Sequence, residues 1–224
     1  CDPQRNACRA PRGGSPAVNM RVRQKEKEGV AVLTCFRCAP HYPAGHGEVS
    51  ILETGRPDGA TQLKLLVGEH PSIQNLRRLI ERIGRSPAPT IMLYGETGTG
   101  KSFISRMMHD VSSRASERFV DVNCAAIPPT LIESELFGYT KGSFTGASSA
   151  KMGLVEAAHR GTLFLDEISE LDLTMQAKLL TLLDTHQLRR VGGVDNVPVD
   201  LRLIAATNKM LLTEVAKGRF REDL

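Results

Sequence analysis

No apolar run in the 224 residues approaches the roughly 20 that a membrane-spanning helix needs, and no charged start, apolar stretch and small-residue cleavage site occur in order. A cytoplasmic protein without a membrane partner is therefore expected. Cysteine is sparse and odd in number, at Cys1, Cys8, Cys35, Cys38 and Cys124. With 41% hydrophobic residues the chain can bury a core without cross-links, so reduced thiols are expected rather than a disulfide scaffold. Internal repeats and low-complexity tracts are missing. So is a basic excess over most of the chain. Residues 1–50 hold eight Lys/Arg against four Asp/Glu, and the remainder 21 against 21, so all of the net charge of +4 arises at the N-terminal end. Residues 51–224 thus carry no electrostatic footprint for nucleic acid. A first residue that is Cys rather than Met leads to the expectation of a fragment or of an uncertain starting point.

What is present falls into two regions. Residues 1–65 scatter Pro, Gly and Arg around a charged patch at 21–28 and one short apolar run at 29–36, and they read as a poorly ordered segment. Within them Cys35, Cys38, His41 and His46 form a candidate zinc set, although the two pairs lie closer together than in usual zinc fingers. From residue 66 the texture changes. Ile73, Leu76, Leu79, Ile80 and Ile83 share one face of a predicted helix at 71–84, which Ser86-Pro87-Ala88-Pro89 ends. Strands predicted at 90–94, 119–122, 162–165 and 199–206 alternate with helices at 131–137, 173–184 and 211–217. That alternation builds an α/β fold with a mostly parallel sheet flanked by helices.

Gly95-Glu96-Thr97-Gly98-Thr99-Gly100-Lys101-Ser102 fits G-x-x-x-x-G-K-[ST] between an apolar strand and a helix beginning near Lys101. Glycines there let backbone N–H groups wrap phosphates, and the helix adds its positive end. Lys101 is expected on the β- and γ-phosphates of ATP and Ser102 on Mg²⁺. A second strand delivers Asp166 and Glu167 at its C-terminal end, where open α/β sheets bind ligands. Asp166 is expected to position Mg²⁺ and Glu167 to orient and deprotonate the attacking water. Asn208 follows a third strand. It reads either as a bridge between that water and the γ-phosphate or as a turn-capping amide.

With these residues placed, the stretch from about residue 66 to 224 resembles the central AAA+ domain of bacterial enhancer-binding proteins, the activators of sigma-54 RNA polymerase. The decisive residues are Glu-Leu-Phe-Gly-Tyr-Thr-Lys-Gly-Ser-Phe-Thr-Gly-Ala at 135–147. They look like the surface loop with which that family grips the sigma factor, here Gly142, Ser143, Phe144, Thr145, Gly146 and Ala147. Ser143 stands where the family's usual motif has Ala. Read without the resemblance, Phe144 is a tucked-in core residue; with it, Phe144 and Thr145 form an exposed tip.

The resemblance also implies that Asn123 is a switch holding Glu167 aside, the alternative being a strand-end amide. It implies that Asn208 senses the γ-phosphate. It further implies that Arg221, with Arg219 the weaker candidate, reaches the neighbour's site in a homo-oligomeric ring, a hexamer in that family. On the family pattern the chain stops before a second arginine, a fifth strand, a helical lid and a DNA-binding helix-turn-helix, so DNA contact would fall to that absent domain. The missing strand would lie beside the phosphate-loop strand, which predicts a bare central edge. A generic AAA+ remodeller shares the site without the loop. A nucleotide-dependent binding module without turnover is the non-enzymatic alternative.

Overall fold

A computed structural model describes the backbone of residues 19–25 and 30–36 and the whole of residues 66–224. The main sheet has six strands: β1 (Asn19–Lys25), β2 (Val30–Phe36), β3 (Thr90–Gly95), β4 (Phe119–Asn123), β7 (Thr162–Asp166) and β10 (Arg202–Thr207), in the spatial order β1-β2-β3-β10-β7-β4. All neighbours pair parallel except β1 with β2. Register aligns the C-terminal ends, with Thr207 opposite Tyr94 and Asn123 opposite Asp166.

Period-2 alternation divides the core between the two faces of this sheet. Ile91, Leu93, Phe164, Ile204 and Ala206 point to one face and pack against α1 (Pro71–Gly84) and α2 (Lys101–Asp110) through Leu76, Ile80, Ile83, Ile104, Met107 and Met108. Leu163, Leu165, Leu203 and Ala205 point to the other. There they meet α3 (Pro129–Phe137) and α5 (Leu173–Thr185) through Ile132, Leu136, Met175, Leu179 and Leu182. Both faces being covered explains why β10 is buried along its whole length.

α1 matches its expected bounds because both ends carry signals. Pro71 occupies the first turn and the His70 ring accepts from the Ser72 N–H. At the other end the guanidinium of Arg202, buried at the start of β10, donates to the carbonyls of Gly84, Ile83 and Ser86. Smaller elements complete the unit: α4 (Leu154–Ala157), α6 (Leu211–Ala216), the pair β5 (Gly138–Tyr139) with β6 (Lys151–Met152), and the pair β8 (Gln187–Arg189) with β9 (Asn196–Pro198).

The edge of β3 is not bare, contrary to expectation. β2 pairs alongside it, from Val30 opposite Thr90 to Cys35 opposite Gly95. An unpaired row of strand N–H and C=O groups is a template for any extended segment, and the apolar run at 29–36 supplies one. Cys38, His41 and His46 of the candidate zinc set lie outside the described residues. Among the described residues no helix is long and apolar enough to cross a membrane.

Candidate functional site

The site forms along the C-terminal ends of β3, β10, β7 and β4. β3 ends at Gly95, and α2 starts at Lys101 with no side-chain cap, which leaves its first N–H groups open to an anion. Gly98 and Gly100 take φ of 81° and 83°, the left-handed turn that brings the backbone round to that helix end. The Thr99 hydroxyl donates to the Glu96 carbonyl at 2.7 Å and closes the loop. Lys101 is 8% exposed. Its Nζ donates to the Gly95 carbonyl at 3.0 Å and the Glu96 carbonyl at 3.3 Å, and lies 3.8 Å from Oε1 of Glu167.

The sequence-predicted residues of this site converge. Ser102 Oγ donates to Asp166 Oδ2 at 3.4 Å, and the other oxygen of Asp166 accepts the Glu167 N–H at 3.0 Å. Glu167 has φ 52°, a left-handed conformation that a non-glycine residue keeps only where its surroundings impose it. Asn208 joins two parts of the site, its N–H donating to Glu167 Oε2 at 3.2 Å and its side-chain amide to Thr97 Oγ1 at 3.0 Å. Negative charge accumulates here. Burial first, and the Asp166 charge second, push the Asp121 carboxyl up; the same causes push the buried Cys124 thiol up to about 12, so Cys124 stays neutral. Two hard oxygen donors side by side in a negative field suit a divalent cation held partly by water and phosphate.

Asn123 is placed differently. Its side-chain oxygen accepts the Ala125 N–H at 3.0 Å, the strand-end reading, and among the described residues no hydrogen bond joins it to Glu167. Among the described residues no hydrogen bond joins Arg221 to the phosphate loop, and its guanidinium is paired with Asp223 at 2.6 and 2.8 Å.

The loop at 142–147 is a pair of tight turns on the β5–β6 stem. Gly142 N–H donates to the Ala147 carbonyl at 2.9 Å, and Ala147 N–H to the Phe144 carbonyl at 3.0 Å. Phe144 is 46% exposed, with its ring edge-on to Tyr139 at 5.0 Å, and Thr145 is exposed beside it. The turn between β8 and β9 abuts this loop. Gly192, at φ 72°, comes so near that a Cβ there would lie 2.5 Å from the Ser143 Cβ. Ser143 Oγ is buried and has no hydrogen-bond partner among the described residues.

Residues 66–224 match the family model of the sigma-54 interaction domain. The chain belongs to this family. It is 49% identical over 159 residues to the response regulator protein PilR of Pseudomonas aeruginosa, covering 71% of this chain and 36% of that protein. It is likewise 49% identical over 159 residues to the Nif-specific regulatory protein of Rhizobium leguminosarum bv. trifolii, covering 71% of this chain and 45% of the relative. The chain thus spans under half the length of these relatives. Among solved structures it resembles NtrX from Brucella abortus in complex with ATP, with a TM-score of 0.65, 39% identity, and 73% of this chain and 35% of that chain covered.

Within the sigma-54 interaction domain the structure adds residues that the sequence did not single out. Glu214, buried, pairs with the Arg219 guanidinium at 2.7 and 3.0 Å, which occupies that arginine within its own chain. Gln176, fully buried, bonds to the backbone on both sides of Phe220. Gln176 has no local sequence signal, because its partners Arg219 and Arg221 lie 43 and 45 residues away.

Proposed function

We propose that this chain is the ATP-hydrolysing core of a cytoplasmic transcription activator that binds and remodels sigma-54 RNA polymerase. The observation carrying this reading is the joining of the phosphate loop, the acidic pair and Asn208 through Lys101, Ser102 and Thr97 at one sheet edge, on a unit that also carries the exposed loop at 142–147. Lys101 leaves the Gly95 and Glu96 carbonyls for the β- and γ-phosphates, while the open N-terminus of α2 and the loop N–H groups bind their oxygens. Ser102 and Asp166 would hold Mg²⁺, which would neutralise charge on the phosphate oxygens. Glu167 accepts the proton of the attacking water, and Asn208 aligns that water with the γ-phosphate. Asn123 holds Glu167 aside in another state of the cycle.

Transition-state charge needs one more cation. Arg221 supplies it to the neighbouring subunit of a homo-oligomeric ring, hexameric as in the family, a contribution of about 10³–10⁵ in turnover for arginine fingers. Arg219, paired with Glu214, is the weaker candidate for that role. The change at the γ-phosphate reaches Phe144 and Thr145, which contact sigma-54. Promoter DNA would be bound by another part of the protein, since residues 51–224 have no basic excess.

The test is Glu167→Gln in the full-length protein. Turnover should fall about 10²–10⁴-fold, the share of a general base, while ATP affinity is kept, because the amide preserves shape but cannot take a proton. Undiminished hydrolysis would assign the base to another residue.

A further inference from the structure

Gln176 on α5 spends its whole side-chain amide on backbone. Nε2 donates to the Leu171 carbonyl at 2.7 Å and the Arg219 carbonyl at 3.0 Å, and Oε1 accepts the Arg221 N–H at 2.8 Å. Its relative exposure is 0%. Leu171 ends the short turn Ile168–Glu170 that begins at Glu167, and Asp172 then caps α5 by accepting the Met175 N–H at 2.8 Å. One side chain therefore ties the segment leaving the acidic pair to the segment carrying Arg219 and Arg221.

The segment from Gly218 to Asp223 is otherwise anchored at Glu214, whose carboxylate holds the Arg219 guanidinium at 2.7 and 3.0 Å. Phe220 is buried in the core, and Arg219 and Phe220 donate their N–H groups to the Glu214 carbonyl at 2.9 and 3.3 Å. Beyond Phe220, the Arg221 N–H is held by Gln176 alone among the described residues, and the Arg221 guanidinium is held only by its exposed neighbour Asp223. Gln176 thus sets where the Arg221 backbone sits and, through Leu171, links that position to the turn after Glu167.

We infer that Gln176 is a positioning residue for Arg221, transmitting the state of its own subunit's acidic pair to the arginine offered to the neighbouring subunit. This rests on the reading of Arg221 as a finger supplied in trans. A buried amide with both N–H groups and its oxygen engaged is rigid, so a shift at Leu171 moves the Arg219 and Arg221 backbone with it. Displacement of a reacting group by about 1 Å costs about 100-fold in rate, so the geometry needs little movement to switch the neighbour.

The experiment mixes subunits of the full-length protein. Gln176→Met keeps the length of the side chain and removes all three hydrogen bonds. Alone it should keep its affinity for a non-hydrolysable ATP analogue and lose about 10- to 100-fold in turnover. Mixed with Glu167→Gln subunits, whose own sites are dead but whose Arg221 is correctly held, turnover should rise well above the sum of the two separate proteins. Arg221→Ala mixed with Glu167→Gln is the control. If that control is rescued and Gln176→Met is not, Gln176 serves its own subunit and the inference is overturned. If the control itself is not rescued, the trans-finger reading fails and the inference with it. Gln176→Leu, which likewise removes all three hydrogen bonds, repeats the test if Gln176→Met does not bind the analogue. Loss of analogue binding in both variants would make Gln176 a folding residue and overturn the inference.

Discussion

The backbone N–H of Asn208 donates to the carboxylate of Glu167 at 3.2 Å, so the ends of β10 and β7 are joined at the residue proposed to activate water. The Asn208 side chain meanwhile reaches Thr97 in the phosphate loop at 3.0 Å. Asn208→Ala leaves the first bond in place and removes the second. ATP affinity should stay within a few-fold, since the loop N–H groups and Lys101 are untouched, while turnover should fall about 100-fold, as for loss of one aligned donor. Steady-state hydrolysis beside analogue binding checks this. Equal losses in both would make Asn208 a structural amide of the loop.

Stability at the opposite end of the sheet depends on Arg202. Its bonds to Ile83, Gly84 and Ser86 satisfy the last carbonyls of α1 in a buried position, while its Nε has no partner among the described residues. Burial first, and the Arg114 charge second, pull its pKa below the ordinary arginine value. Arg202→Met keeps the apolar stem and takes the donor from the Gly84 and Ser86 carbonyls, while Ile83 still accepts from Ser86, so it should cost about 2–4 kcal/mol, read as a fall in Tm with ATP affinity retained. An unchanged Tm would show that water satisfies the helix end.

Much of this arrangement was legible in the chain, and the rest was hidden for identifiable reasons. α1 could be placed residue by residue because Pro71, the apolar stripe and the Ser-Pro sequence after it are all local. The phosphate loop and acidic pair could be read because glycine, lysine and carboxylates at strand ends have few other uses. β10 starts at Arg202 rather than 199, since Val199 and Leu201 are buried by loop packing before the ladder begins. β5, β6, β8 and β9 are two or three residues long, too short for any period to show. The pairing of β2 with β3 joins segments 60 residues apart, as Val30 with Thr90, and depends on a vacant edge rather than on local pattern. Asn123 was open between two readings, and in this conformation its oxygen caps the turn after β4. Gln176 reads as one more polar residue on an amphipathic helix until its two distant backbone partners, Arg219 and Arg221, are known.

The central claim is tested most directly by retention of sigma-54 on the full-length protein in the presence of an ATP transition-state analogue, comparing wild type with Thr145→Ala. Thr145 is exposed on the 142–147 loop, outside the phosphate loop and the acidic pair, so a purely structural turn would lose at most about 0.5 kcal/mol and no partner binding. As a central contact of the interface it should carry about 2 kcal/mol or more, roughly a 30-fold loss of capture. The account predicts that wild type retains sigma-54, that Thr145→Ala releases it, and that both bind the analogue equally. Equal capture by the two proteins, or none by the wild type, would contradict it.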